Sequence, residues 1–266
     1  MSATDHSPAA GVLLLCRAEP HRVRPSAQLL REPLLLAPAG DWSVLVPGRD
    51  SWREEDANLA AVTAEWAHAL TVAEPWPAVG LWWDEEGAGF VVAAGFRRTA
   101  GYTWLADGSP LGDESAMTAL RARLGLDPVL DAAAFDRLTR PDSDADAPAR
   151  VLGLIAVLAR AGLRLPPGLA PGTSAQSLRD AVGMLASAEA VEWPGWRQAV
   201  RTGLDGEWIW GTKARALGGA EVAVGLGLLA LSRRRRGRAW QVAGAALFAD
   251  GALTLAYDAW RGRRKG

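Results

Sequence analysis

Three observations predict an α+β fold built on an antiparallel sheet. Residues 78 to 106 hold short aromatic and β-branched runs joined by glycine-bearing connections, three earlier apolar runs are separated by prolines, and the helical patterns come in blocks instead of alternating regularly with strands. Regular strand–helix alternation would indicate a doubly wound parallel sheet, so its absence decides between the two classes.

In chain order, residues 12–16, 34–36 and 43–46 read as strands, with Pro33, Pro38 and Pro47 placing breaks between them. A helix follows. Ser51 and Glu54 have the capping-box spacing, and Leu59, Val62, Trp66 and Leu70 then recur at helical intervals. Residues 78–83, 90–94 and 102–105 form a three-stranded meander, with Gly87, Gly89 and Gly101 supplying turn conformations. Asp113 opens a helix that carries Met117, Leu120 and Leu124 on one side and stops at Gly125. Asp127 as N-cap and Pro128 at the first position start another, which ends before Pro141.

Residues 141 to 150 hold Asp142, Asp144 and Asp146 and no large apolar side chain, the composition of a linker. They start like an EF-hand loop, but Ala147 stands where the sharp turn needs Gly and Gly153 where calcium needs a bidentate Glu. The organisation expected is therefore an α+β domain over 1–140, a linker over 141–150, a helical region over 151–212 and a helical hairpin over 213–266. Within the third part, Val151, Leu152, Ile155 and Leu158 make one apolar face, and a second helix begins near Ser174.

With 266 residues, 49% apolar and 22% charged, the chain is neither disordered nor collagen-like. One cysteine excludes a disulfide framework and a four-thiolate metal site, and histidines at positions 6, 21 and 68 leave little for metal ligation. No phosphate loop, nucleophile elbow, H-E-x-x-H helix or dinucleotide fingerprint is present, so no catalytic residue, metal or cofactor is assigned. Cys16 lies close to His21 in sequence, but a thiol on a strand reads better as a core residue. No secretory signal is visible, which leaves the N-terminus in the cytosol.

Seven of the 13 tryptophans fall between positions 42 and 104. Adjacent Trp82 and Trp83 must point to opposite faces of a strand, so either one marks an interaction surface or helices cover both faces. Trp193, Trp196, Trp208 and Trp210 lie among Arg197, Arg201 and Lys213, a mixture equally at home in a headgroup layer and in a helical core.

A net charge of −1 conceals a gradient: residues 1–140 carry 12 basic against 19 acidic groups, and residues 205–266 carry 11 against 5. A basic end on an acidic body suits an anionic surface or the chain's own acidic part. Within that end, 214–232 and 239–260 are apolar stretches of 19 and 22 residues, separated by Arg233, Arg234, Arg235, Arg236, Gly237 and Arg238. As helices they would extend about 28 and 33 Å, enough for a hydrocarbon layer of about 30 Å. Glu221 and Asp250 are equidistant from the arginine turn, so an antiparallel hairpin brings both carboxylates to one depth. There they must share a proton or meet a cation such as Arg215.

Arg215, Gly218, Glu221 and Gly225, then the basic turn, then Gly244, Asp250 and Gly251, resemble the R-x-x-G-x-x-E-x-x-x-G and later Asp-containing helices of small uncharacterised bacterial membrane proteins. The resemblance covers about a fifth of the chain and implies a helical membrane element with embedded Arg, Glu and Asp. A cytosolic first domain would put the five-arginine turn on the far side of a bilayer, against the positive-inside tendency. A shallow or interfacial hairpin avoids that conflict.

The function expected is that of a non-enzymatic accessory protein that binds a protein partner and contacts membrane lipid on the cytoplasmic side. Arg233 to Arg236 and Arg238 are its anionic-surface contacts, and Glu221, Asp250 and Arg215 its embedded polar set. The alternatives are a soluble cytoplasmic adaptor with the hairpin packed in its own core, and an enzyme using the Glu221/Asp250 pair. The basic groups are split by an apolar helix and form no recognition module, which argues against nucleic acid.

Overall fold

The computed structural model describes residues 9–49, 58–127, 129–142 and 144–193, which lie in one compact unit ending at Trp193. Its centre is an eight-stranded antiparallel sheet: β1 (Gly11–Cys16), β2 (Leu34–Ala39), β3 (Trp42–Pro47), β4 (Ala78–Trp83), β5 (Gly87–Ala93), β6 (Ala100–Leu105), β7 (Pro110–Leu111) and β8 (Glu189–Val191). Spatial order is β7-β6-β5-β4-β1-β3-β2-β8. Six helices are described: α1 (Pro20–Leu29), α2 (Leu59–Thr71), α3 (Glu114–Leu124), α4 (Ala132–Thr139), α5 (Ala147–Arg160) and α6 (Ala175–Gly183). The α+β class and the antiparallel sheet are as the sequence predicts.

Every residue of β1, β3, β4 and β5 is buried, which an antiparallel sheet with one wet face would not allow. The strands instead feed two cores. Val12, Leu14 and Cys16 share one with Leu45, Trp82 and residues of α1 and α2. Leu13 and Leu15 share the other with Trp42, Leu81 and Trp83 beneath α3 to α6. Two helices thus cover one face and four the other, a three-layer arrangement.

The burial of Trp82 and Trp83, 6% and 1% exposed, follows from this layering, and neither offers an interaction surface. Each ring lies across its register partner: a Cβ on Gly89 would stand 2.7 Å from the Trp82 indole, and one on Gly11 would stand 2.6 Å from that of Trp83. Glycine at these strand positions makes room for a ring. Gly87, Gly89 and Gly101 all lie in paired strands and none has a positive φ, so they do not supply turn conformations; the β4–β5 turn is held by Asp84, whose carboxylate accepts from the amides of Glu86 and Gly87 at 2.9 and 3.0 Å. The β5–β6 turn uses Gly95 at φ +55°.

Several boundaries differ from the sequence reading. Pro38 lies within β2, opposite Ser43 and exposed. This is allowed because β8 pairs only with Leu34 to Leu36, leaving Pro38 on a free edge that needs no donor. Ser51 and Glu54 lie outside the described residues; α2 is capped by Asn58, which accepts from the Ala61 amide at 3.0 Å. Its buried stripe is Leu59, Thr63, Ala67 and Leu70, with Val62 and Trp66 partly buried beside it, because small residues let the helix sit close to the sheet. Asp127 holds a turn, accepting from Val129 and Leu130 amides at 2.7 and 2.8 Å, and the helix itself starts behind Asp131. α1 carries Pro20 at its start and Pro25 inside, a composition that hides a helix from propensity.

The proposed linker over 141–150 joins no separate domains. Asp146 caps α5, accepting from the Ala149 amide at 2.9 Å, and Val151, Leu154, Val157 and Leu158 enter the same core as β5 and β6. Leu152, expected on the buried face, is 49% exposed because the stripe runs one position round the helix. After α6, which begins next to Ser174 as predicted and takes that residue as its N-cap, the chain adds β8 to the sheet edge, so the region to Val191 is not all-helical.

The close seat of α2 on the sheet yields a test. A Cβ on Gly80 would overlap Thr63 Cγ2. Gly80→Ala should cost about 1–3 kcal/mol in urea unfolding. Thr63→Ser removes that methyl while its hydroxyl still donates to the Leu59 carbonyl, at 2.7 Å in the parent. The double variant should be more stable than Gly80→Ala alone; an equal or larger loss contradicts the packing described.

Candidate functional site

Glu221, Asp250, Arg215 and the arginines Arg233, Arg234, Arg235, Arg236 and Arg238 lie outside the described residues. So do Trp196, Trp208 and Trp210, whereas Trp193 sits beneath the Arg31 guanidinium at 5.1 Å, inside the reach of about 6 Å for a cation–π contact.

Within the unit, three core indoles and one buried guanidinium are turned toward backbone, whereas the buried Trp76 Nε1 has no hydrogen-bond partner among the described residues. Trp42 Nε1 donates to the Ala161 carbonyl at 3.0 Å, Trp83 Nε1 to Thr173 at 2.9 Å and Trp104 Nε1 to Leu138 at 2.8 Å. All three indoles rise from one face of the sheet and tie it to the ends of α5, α6 and α4. Each thereby buries a large ring without orphaning its N–H. Arg150, 3% exposed, donates to the carbonyls of Gly108 at 3.2 Å, Arg140 at 2.8 Å and Arg137. No carboxylate pairs with it among the described residues. Its charge is met instead by the carbonyl-rich C-terminus of α4, where a cation is favoured. Arg17 does the same for α3, donating to the Leu124 carbonyl at 2.6 Å.

Cys16 and His21 do not form a nucleophile pair. Cys16 is fully buried, and burial first, with the nearby Glu74 charge second, pushes its thiol far above the ordinary range. His21 is exposed on α1 and faces Glu19 at 3.3 Å. Glu74 accepts instead from the Ser26 hydroxyl at 2.7 Å. No group of three metal-ligating side chains occurs among the described residues.

An open cleft of about 430 Å³ lies between α3 and α4. Glu114, Met117, Arg121, Phe135, Asp136 and Arg140 line it. Its charges are largely spoken for: Arg140 pairs with Asp136 at 2.9 Å, and the Arg121 guanidinium lies 5.0 Å over the Phe135 ring. The cleft offers an aromatic face and mixed charge, which suits weak binding, but no nucleophile beside a base.

Sequence reasoning passed over one exposed feature, the β5–β6 turn. Phe96 is 84% exposed there, followed by exposed Arg97 and Arg98. The signal was present as Gly95-Phe-Arg-Arg between two strands, but a loop has no periodicity to draw the eye. No helix among the described residues is long and apolar enough to cross a membrane. Comparison with family models, curated proteins and solved structures returns no match.

The burial of Cys16 predicts its chemistry. A free thiol ionises near pH 8.5 and reacts readily with a disulfide reagent at about pH 8. In the native protein the cysteine should stay unmodified under those conditions and react fully once denaturant unfolds the chain. Stoichiometric modification of folded protein would contradict the placement of β1.

Proposed function

We propose that this chain is a non-catalytic accessory protein, held at the cytoplasmic side of a membrane by its basic C-terminal segment, whose first unit binds a protein partner. The observation that carries the reading is the pair of apolar stretches of 19 and 22 residues flanking an arginine-rich turn, in a segment with 11 basic against 5 acidic groups. Such a pattern places hydrocarbon-compatible surface beside cations that attract anionic headgroups. Arg233 to Arg236 and Arg238 would supply the attraction, and Arg215 would be a cation available to the embedded Glu221 and Asp250.

The first unit supports the scaffold part of the reading. Three of its indoles, Trp42, Trp83 and Trp104, and its buried guanidinium are committed to backbone carbonyls rather than converging on a cavity. A rigid platform of this kind presents loops at both ends of the sheet for recognition.

Cell fractionation at low salt without detergent tests the attachment. Full-length protein should sediment with membranes, and deletion of residues 213–266 should release it while leaving the thermal midpoint of the first unit unchanged. Soluble full-length protein overturns membrane attachment, and a lowered midpoint after deletion would mean that the segment packs against the remainder as part of a soluble adaptor.

A further inference from the structure

The strand directions bring a distinctive set of side chains to one end of the sheet. β1 ends there at Cys16, β4 begins at Ala78, and the β5–β6 turn crosses from Ala93 to Ala100. The C-terminus of α3 is pinned to the same end. Arg123 donates to the Val92 carbonyl at 2.6 Å and to the Arg98 carbonyl at 2.5 Å, and Arg17, directly after β1, donates to Leu124. The loop leaving α3 therefore emerges beside the β5–β6 turn.

Both loops carry bare apolar side chains at this end. Phe96 is 84% exposed, and Val129 and Leu130 are each 80% exposed, with Met184 at 82% the most exposed large apolar side chains among the described residues. Arg97 and Arg98 stand next to Phe96, exposed and without a carboxylate partner among the described residues. Arg123 is crowded by the Arg97 charge, which with burial as the larger cause lowers its pKa. Two acids are near. Asp127 accepts from the Val129 and Leu130 amides and Asp131 pairs with Arg160 at 2.5 Å, and neither forms an ion pair with Arg97 or Arg98.

We propose that this end of the first unit contacts an anionic lipid surface, with Phe96, Val129 and Leu130 entering the headgroup layer and Arg97 and Arg98 pairing with lipid phosphates. Charge complementarity selects the partner: unpaired cations beside inserted apolar side chains are the pattern of interfacial binding. Shape agrees. The contacts stand on two projecting loops, where a Cβ on Gly95 or Gly125 would meet open space, and not in a groove that could seat a peptide. Aliphatic Val129 and Leu130 give single-stranded nucleic acid nothing to stack on. The proposal shares its partner with the one above but concerns different residues, so the two stand or fall separately.

The full chain allows a direct test, because buried Cys16 leaves a single introduced cysteine as the reactive one. Phe96→Cys and, separately, Leu130→Cys are labelled with an environment-sensitive nitrobenzoxadiazole dye, with Glu85→Cys at the opposite end of the sheet as control. Vesicles of phosphatidylglycerol mixed with phosphatidylcholine should shift emission to the blue and raise its intensity at 96 and 130, while pure phosphatidylcholine should not. The control should stay silent. Replacing Arg97 and Arg98 by Ala should weaken the response of the 130 label by about fivefold in lipid concentration per arginine. Equal responses to neutral vesicles, a responding control, or indifference to the arginine replacements would each overturn the proposal. Capture of the protein by vesicles with silent labels at 96 and 130 overturns it too, yet leaves attachment through residues 205–266 standing; absence of both capture and signal removes both.

Discussion

Burial of the central strands on both faces is the constraint from which the rest of the unit follows. Gly11–Cys16 and Ala78–Trp83 are continuous apolar runs with no polar alternation, so their sheet cannot leave a face in water. Six helices divide between the two faces to meet that demand. The adjacent tryptophans of β4 report the same fact: each ring needs a core of its own, and each finds one across a glycine of the neighbouring strand.

Most polar groups inside such a structure are satisfied locally, buried Trp76 Nε1 and His68 Nδ1 being exceptions among the described residues. An unpaired N–H in the core would cost about 1–3 kcal/mol. The three indoles that reach from the sheet to the ends of α4, α5 and α6 avoid that cost while locking the layers together. The helix C-termini at Leu124, Arg137 and Arg140 receive guanidinium donors in the same way. Groups so engaged are poor instruments of catalysis, whereas the loops they steady are well placed for binding. Acidic Asp84, Glu85 and Glu86 sit at one end of the sheet, and Arg17, Arg97, Arg98 and Arg123 at the other.

The meander, the three earlier strands and the helices opened by Asp113 and Ser174 were legible because local patterning and capping agree there with the tertiary structure. What was hidden is mostly non-local. Nothing in residues 11–16 announces that they pair with residues 78–83, and the three-residue strand at Glu189–Val191 is too short to show a period. The aspartates of 141–146 resemble a linker in composition, yet one of them is the cap of a core helix. Trp82 and Trp83 were ambiguous from sequence because a strand cannot say whether its second face is covered. The exposed tip at Phe96 went unnoticed for the opposite reason, since only the fold shows that its neighbours leave it bare and bring Leu130 to the same end.

Hydrogen exchange resolved by peptide bears most directly on the two-sided burial of the sheet. If helices cover both faces, the amides of residues 11–16 and 78–83 should be the slowest in the protein, exchanging only through global unfolding, while residues 94–99 exchange at once. Exchange of residues 11–16 through local opening, at rates near those of the loops, would show that one face lacks its cover and would contradict the account.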